Sequence, residues 1–386
     1  MKEQQSFTNK HIRENNVIHI LTDIVNDANI TRQELSKRNE ISLVTVKHIV
    51  DDLIEREIVE EHLCDSVIGR KPKALKVSHK YGNVICFNLT SAETICYIIY
   101  DVNGEKLIGN TFRFHSGETD YEQNLKNVVS EVLNQVQEIG TQTIGIAAFV
   151  PSAYYEEKDF VNYDLIPEFK NFHIKHFFEQ YFAVNNIRIL HDVIPASKAE
   201  YESYSSGTDS QFYVYCGFGV GGCFIHEGMA VLGENLVAGE VGKIIVSGSR
   251  LSGRIKTFEE VVSVPGILKA SRNHFPDIEF EELLERYEAG EEELVKILDA
   301  ALDTAARTFY NLVWIYNPTR IIIDSCYPQY AMLMKQRLEQ YLEKFCYGSI
   351  SADVDVNLAK YDEYHMMKGC FHLVRETWVE EMVSKL

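Results

Sequence analysis

The residues best suited to chemistry near the start of the chain are cationic and grouped. Between positions 62 and 80, Arg70, Lys71, Lys73, Lys76 and Lys80 stand against one acid, Asp65. Guanidinium and ammonium groups at that density suit phosphate oxygens, and Arg70 is the candidate for a narrow minor groove, where negative potential attracts guanidinium. Upstream, Ser42, Val44, Thr45, Lys47 and His48 fall at a helix start, where side chains would meet base edges in a major groove. A second possible chemistry is metal binding. His173, His176 and Glu179 recur at intervals of three. With no fourth ligand and an aromatic neighbourhood, a half-buried helix face is expected there instead. The eight cysteines, at 64, 86, 96, 216, 223, 326, 346 and 370, form no CxC or CxxC pair. Buried, reduced thiols are the expectation, not a zinc knuckle or a redox motif.

The elements that must carry the cationic residues read as three helices and a hairpin. Val17, Ile20, Leu21, Ile24 and Val25 give an amphipathic helix over roughly 10–27. Thr31-Arg32-Gln33-Glu34 is a capping box opening a short helix that ends near Arg38. Ser42 caps a third helix, whose buried stripe is Val46, Ile49, Val50, Leu53 and Ile54. Two β-rich runs, Ile58–Leu63 and Ala74–Val77, follow around residues 66–72. This order is that of a winged helix-turn-helix, with the basic strip on the wing. Glu57 stands where a helix-ending glycine is expected, so the turn into the wing is expected to use another geometry.

Composition supports a separate reading of the two parts. The 386 residues carry a net charge of −19, which argues against nucleic acid for the chain as a whole. Residues 1–80 are neutral, with 13 basic and 13 acidic side chains, so the acidic excess belongs to the remainder. No apolar run approaches the ~18 residues of a membrane span, and the polar start lacks a signal-peptide core. The final Ser384-Lys385-Leu386 matches a peroxisomal address, a match short enough to arise by chance. A cytoplasmic protein with no membrane partner is expected.

From residue 83 strands alternate with helices. Strands are expected at 84–89, 94–100, 111–114, 143–150 and 187–190, with a hairpin turn at 102–105 and a helix over 121–138. A second series runs through 211–216, a glycine-rich turn and 223–226. Helices at 279–289 and 291–316 and a strand at 320–323 complete it. Two such halves suggest a doubled, actin-like α/β architecture with a cleft between lobes.

The order of motifs resembles the ROK family (repressors, open reading frames and sugar kinases), specifically its winged-helix repressor branch. The resemblance covers nearly the full chain. It is carried by the GRKP wing, IGIAAFVP at 144–151, CGFGVGG at 216–222, VAGEVGK at 237–243 and NLVWIYNPTRIII at 311–323. It implies an N-terminal winged helix-turn-helix followed by a two-lobed, actin-like (ribonuclease H-like, duplicated) domain. The implied divisions are 1–80 for DNA, 81–195 for a first lobe on which a helix over 365–386 packs back, and 196–364 for a second lobe serving oligomerisation.

Departures from the family pattern bear on activity. The first phosphate loop, DxGGT in the family's kinases, reads Asn88-Leu89-Thr90-Ser91-Ala92, so backbone amides can no longer approach phosphate closely. Phe218 replaces the threonine of the second glycine loop, and Asp324-Ser325 replaces a late Gly-Gly. No ATP, no cofactor and no enzymatic activity are therefore expected. On the sugar side, Asp192 matches the family's catalytic base, Glu240 the Glu of AGExGH and Glu259 a sugar-binding Glu. His191, Ser152 and Lys243 depart from the family's Asn, Gly and His. Lys243, Arg250, Ser252 and Thr257 stand at the four zinc-ligand positions, so no metal is expected. The cations there either replace the ion's charge by pairing with local acids or receive an anionic ligand. The resemblance implies a repressor of carbohydrate genes. Its partners would be double-stranded operator DNA and a sugar-like effector at Ser152, His191, Asp192, Glu240, Lys243 and Glu259. It would act as a homodimer or a dimer of dimers. The alternatives are a sugar kinase with a regulatory winged helix and a regulator controlled by a partner protein.

Overall fold

The computed structural model describes residues 2–27, 29–63, 73–114, 120–161, 167–204, 209–234, 236–249, 254–345, 354–360 and 363–384. They divide into two compact units, one of residues 1–190 with 370–386, the other of residues 191–369.

The first unit begins with helices Lys2–Asn26, Arg32–Arg38 and Leu43–Glu55, then an antiparallel pair, Val59–Leu63 with Lys73–Val77. The capping box forms as the sequence reads: Thr31 Oγ1 accepts from the Glu34 amide while the Glu34 carboxylate accepts from the Thr31 amide. Ser42 Oγ likewise accepts from the Thr45 amide and starts the third helix. The apolar faces close on Ile20, Leu21, Ile24, Leu35, Val46, Val50 and Leu53. The same core takes in Trp378, Val379 and Met382 of the last helix, Glu363–Ser384. This helix starts near its expected place, and its final turns belong to the core of the N-terminal helices.

Glu57 corrects one expectation. The turn leaving the third helix does not avoid the glycine geometry; Glu57 itself adopts it, at φ 59°. Its amide donates to the Ile54 carbonyl and the Ile58 amide to the Leu53 carbonyl, both at 2.9 Å. That is the Schellman pattern, with buried Ile58 as its apolar contact.

The remainder of the first unit is a five-stranded sheet in the order Lys106–Arg113, Thr94–Asp101, Asn83–Asn88, Thr143–Val150, Ile187–His191. The first three are antiparallel, and Asn83–Asn88 pairs in parallel with Thr143–Val150. Strands Asn83–Asn88 and Thr143–Val150 are mostly buried and carry continuous apolar runs because both faces are covered. The second unit repeats this plan: Met229–Ala230, Val220–His226, Ser210–Cys216, Arg320–Asp324, Asp355–Leu358, antiparallel and then parallel. Its core gathers Phe212, Phe258, Phe309, Ile321 and Tyr330 against helices Glu292–Tyr316 and Pro328–Phe345. The latter helix, a ribbon of Ile245–Ser249 with Arg254–Thr257, and the short helices Phe258–Val262 and Val264–Ser271 were not legible in the apolar pattern. No described helix is long and apolar enough to cross a membrane.

A non-glycine residue in the left-handed region costs about 1–2 kcal/mol, part of which glycine returns through its freer unfolded chain. Glu57→Gly is therefore expected to stabilise the first unit by roughly 0.5–1 kcal/mol, read as a higher denaturant midpoint with an unchanged slope. A lower midpoint would show that the Glu57 side chain contributes more than its backbone strain costs.

Candidate functional site

The strand Ile187–His191 delivers His191 and Asp192 directly to the start of helix Val193–Tyr204. The Asp192 carboxylate accepts from the Val193 amide, so it also serves the helix start. Glu240 precedes a single 3₁₀ turn, Val241–Lys243. Its position depends on Gly239, whose φ is 95° and whose Cβ would lie 2.2 Å from the Gly222 carbonyl oxygen. Glu259 sits in helix Phe258–Val262, where its Oε2 accepts from the Val220 amide at 3.1 Å.

These elements bring five of the sequence-derived residues into one cluster of the second unit. The His191 ring bridges two carboxylates, with Nε2 3.3 Å from Asp192 Oδ1 and Nδ1 3.3 Å from Glu240 Oε1. The doubly protonated ring is the form that donates to both. Lys243 Nζ lies 3.9 Å from Glu259 Oε1, on a side chain 67% exposed. The contact is at the outer limit of ion-pair range. Ser152 belongs to the first unit, just beyond strand Thr143–Val150. Arg250 and Ser252 lie outside the described residues, and Thr257 is occupied as the cap of a second capping box, with Glu260.

The charges act on one another. Burial pushes the His191 pKa down, but the hydrogen bond to Glu240 and the charges of Asp192, Glu240 and Glu259 outweigh it, and the net shift is upward. Burial pushes Asp192 up, His191 and the Val193 amide oppose it, and Asp324 and Glu240 add to the rise. Burial would raise Glu240 as well, but His191 and Lys243 hold it below the usual range. Asp324 was not singled out from the sequence as part of this cluster. Its side chain accepts from Tyr213 Oη at 2.6 Å. The available signal was an acid in place of glycine at the end of a buried strand.

The loop that would cradle phosphate is closed on itself. Asn88 Oδ1 accepts from the Thr90 amide at 2.9 Å and the Thr90 hydroxyl at 2.7 Å, an Asx turn between the residue that replaces the aspartate and one that replaces a glycine. Phe218, in the second glycine loop, is exposed and lies beside Tyr327.

On the third helix, Val44, Lys47 and His48 are exposed. Ser42 and Thr45 are joined through their hydroxyls at 2.8 Å and serve the cap. Lys73, on the hairpin, reaches Glu61 Oε2 at 2.5 Å. Arg70 and Lys71 lie outside the described residues. His173, His176 and Glu179 are exposed, not the half-buried helix face expected: His173 precedes helix Ile174–Tyr181 with Nδ1 on the Asp159 carbonyl, and His176 faces Glu179 at 3.7 Å. Five of the described cysteines are buried and Cys326 is exposed.

Comparison with known proteins follows the same lines. The model of the ROK family matches residues 91–377. A xylose repressor of Staphylococcus xylosus is 24% identical over 334 residues, covering 82% of this chain and 83% of its own. One from Caldicellulosiruptor bescii is 21% identical and covers 97% of each chain. Among solved structures, a ROK family transcriptional regulator described as a homologue of the E. coli Mlc protein superposes with a TM-score of 0.74. It is 18% identical over 97% of this chain and 98% of its own. The ROK hexokinase of Thermus thermophilus superposes with a TM-score of 0.62 at 16% identity, covering 75% of this chain and 96% of its own. These likenesses give the mixed α/β, actin-like fold of ROK proteins.

The His191 bridge has a pH signature. A histidine whose pKa is raised on folding contributes stability that is full below its unfolded value, near 6.5, and is lost as pH rises through the folded value. His191→Gln should therefore cost more stability at pH 6 than at pH 9, measured as the difference in thermal midpoint between wild type and variant. A difference independent of pH across that range would mean that folding does not raise the pKa of the ring.

Proposed function

The chain belongs to the ROK family, and on that premise we propose that it is a DNA-binding transcriptional regulator of carbohydrate genes. Its effector would be a sugar or sugar derivative, and it would carry no kinase activity. The observation that carries this reading is the N-terminal module: three helices and a hairpin, with an exposed helix start, sharing one core with the last helix of the ROK part. We assign residues 1–80 the role of a winged helix-turn-helix, with the third helix in the major groove and Arg70, Lys71 and Lys73 on phosphates or in the minor groove. Residues 81–195 and 196–364 would be the two lobes. A homodimer matches the two-fold logic of palindromic operators.

The similarity to xylose repressors supports a sugar effector, and the cluster of His191, Asp192, Glu240, Lys243 and Glu259 is the proposed place for it. Carboxylates accept two directional hydrogen bonds each and so suit vicinal hydroxyls. A sugar kinase with a regulatory winged helix is the competing reading, favoured by the likeness to a ROK hexokinase. Against it stands the Asn88–Thr90 turn, in which the Thr90 amide already donates to Asn88 Oδ1.

The test is release from DNA. Asp192→Asn should leave operator affinity unchanged while raising the sugar concentration needed for release roughly tenfold or more, because a charge-assisted hydrogen bond is lost. Fluorescence anisotropy of a labelled operator duplex reads both quantities. If Asp192→Asn and Glu240→Gln both leave release intact, these carboxylates are not the sensor.

A further inference from the structure

The start of the third helix presents two apolar side chains that neither its cap nor its core uses. Leu43 is 47% exposed and Val44 67% exposed, while Val46, Ile49, Val50 and Leu53 of the same helix are buried. In a helix whose opposite face already closes a core, two large aliphatic groups in water on the first turn call for a reason. The hydroxyls beside them are engaged in the helix cap: Ser42 Oγ accepts from the Thr45 amide and joins Thr45 Oγ1.

The surroundings select the occupant. Lys47 and His48 are exposed one turn further along, and the first acid on this face, Asp51, is held by Arg32 at 2.9 Å. The patch is thus apolar at its tip and cationic beside it, complementary to a polyanion that carries methyl groups. A protein partner or a second copy would need roughly 800 Å² per side, far more than two side chains supply. In the major groove the one apolar group on a base edge is the thymine C5 methyl.

We propose that Leu43 and Val44 are specificity-determining residues that read thymine methyls in the operator, with Lys47 and His48 making the polar base or phosphate contacts beside them. This rests on the reading of the chain as a DNA-binding regulator and deepens it: each half-site must carry thymines where the start of the third helix meets the groove. Ser42 and Thr45 are then positioning residues that hold the helix start.

The experiment begins with a site selected by the full-length chain from a pool of random-sequence duplexes. Each thymine of that site is then replaced in turn by deoxyuridine, which removes the methyl and keeps every hydrogen bond. Burying one methyl is worth about 0.8 kcal/mol, so each contacted methyl should be worth about fourfold in affinity. The slope of affinity against salt should not change, because no charge is removed. Val44→Ala and Leu43→Ala, both at exposed positions, should each abolish the effect of particular methyls and leave the others. If deoxyuridine costs nothing at any position, or costs as much in both alanine variants as in wild type, the apolar pair does not read thymine. If no sequence is enriched by the wild-type chain, the DNA-binding reading itself fails, and this inference with it.

Discussion

The N-terminal helices share their core with the rest of the first unit. Ile20, Leu21, Ile24, Leu35, Val46 and Leu53 close with Ile58, Leu75 and Val77, and the same cluster takes in Trp378, Val379 and Met382 of the last helix and Val102 from a hairpin of the first sheet. Burial of apolar area is the main favourable term in folding, and a module of this size buries a smaller fraction of its surface than a larger unit does. The constraint is therefore physical: the part proposed to read DNA is folded into the same unit as the first sheet. It is not a bead on a flexible tether.

The second constraint is charge. Asp192, Glu240, Glu259 and Asp324 would repel one another in a small region, and the chain answers with His191 between two of them and Lys243 beside a third. The ribbon of Ile245–Ser249 with Arg254–Thr257 is held by strand pairing and by the Thr257–Glu260 capping box. A neutral polyhydroxylated ligand could compete for the His191 hydrogen bonds without adding charge. For a ligand to swing such a protein from mostly bound to mostly released, its affinities for the two states must differ by about 10⁴-fold.

Much of this was legible in the sequence. Capping boxes and alternating or periodic apolar runs placed the short second helix, the third helix and strand 143–150, because local hydrogen bonding and burial determine them. The first helix proved longer than its apolar stripe, since its early turns carry polar residues. Strand Lys106–Arg113 was placed too late because its exposed edge has no apolar pattern to mark it. Glu57 misled for a different reason: tertiary packing of Ile58 imposes a left-handed backbone on a residue that does not favour it. In the cluster, family motifs named the carboxylates, but the bridging role of His191 and the nearness of Asp324 depend on long-range strand pairing that no local spacing encodes.

The central claim is that this chain couples sugar binding to DNA rather than to phosphoryl transfer. It is tested most directly by measuring, on the same purified protein, operator affinity and ATP consumption with and without each of a panel of common pentoses, hexoses and their phosphates. The account predicts that one of these sugars weakens operator binding and that ATP consumption stays at the no-enzyme background with all of them. Sugar-dependent ATP consumption with operator affinity unchanged would contradict it.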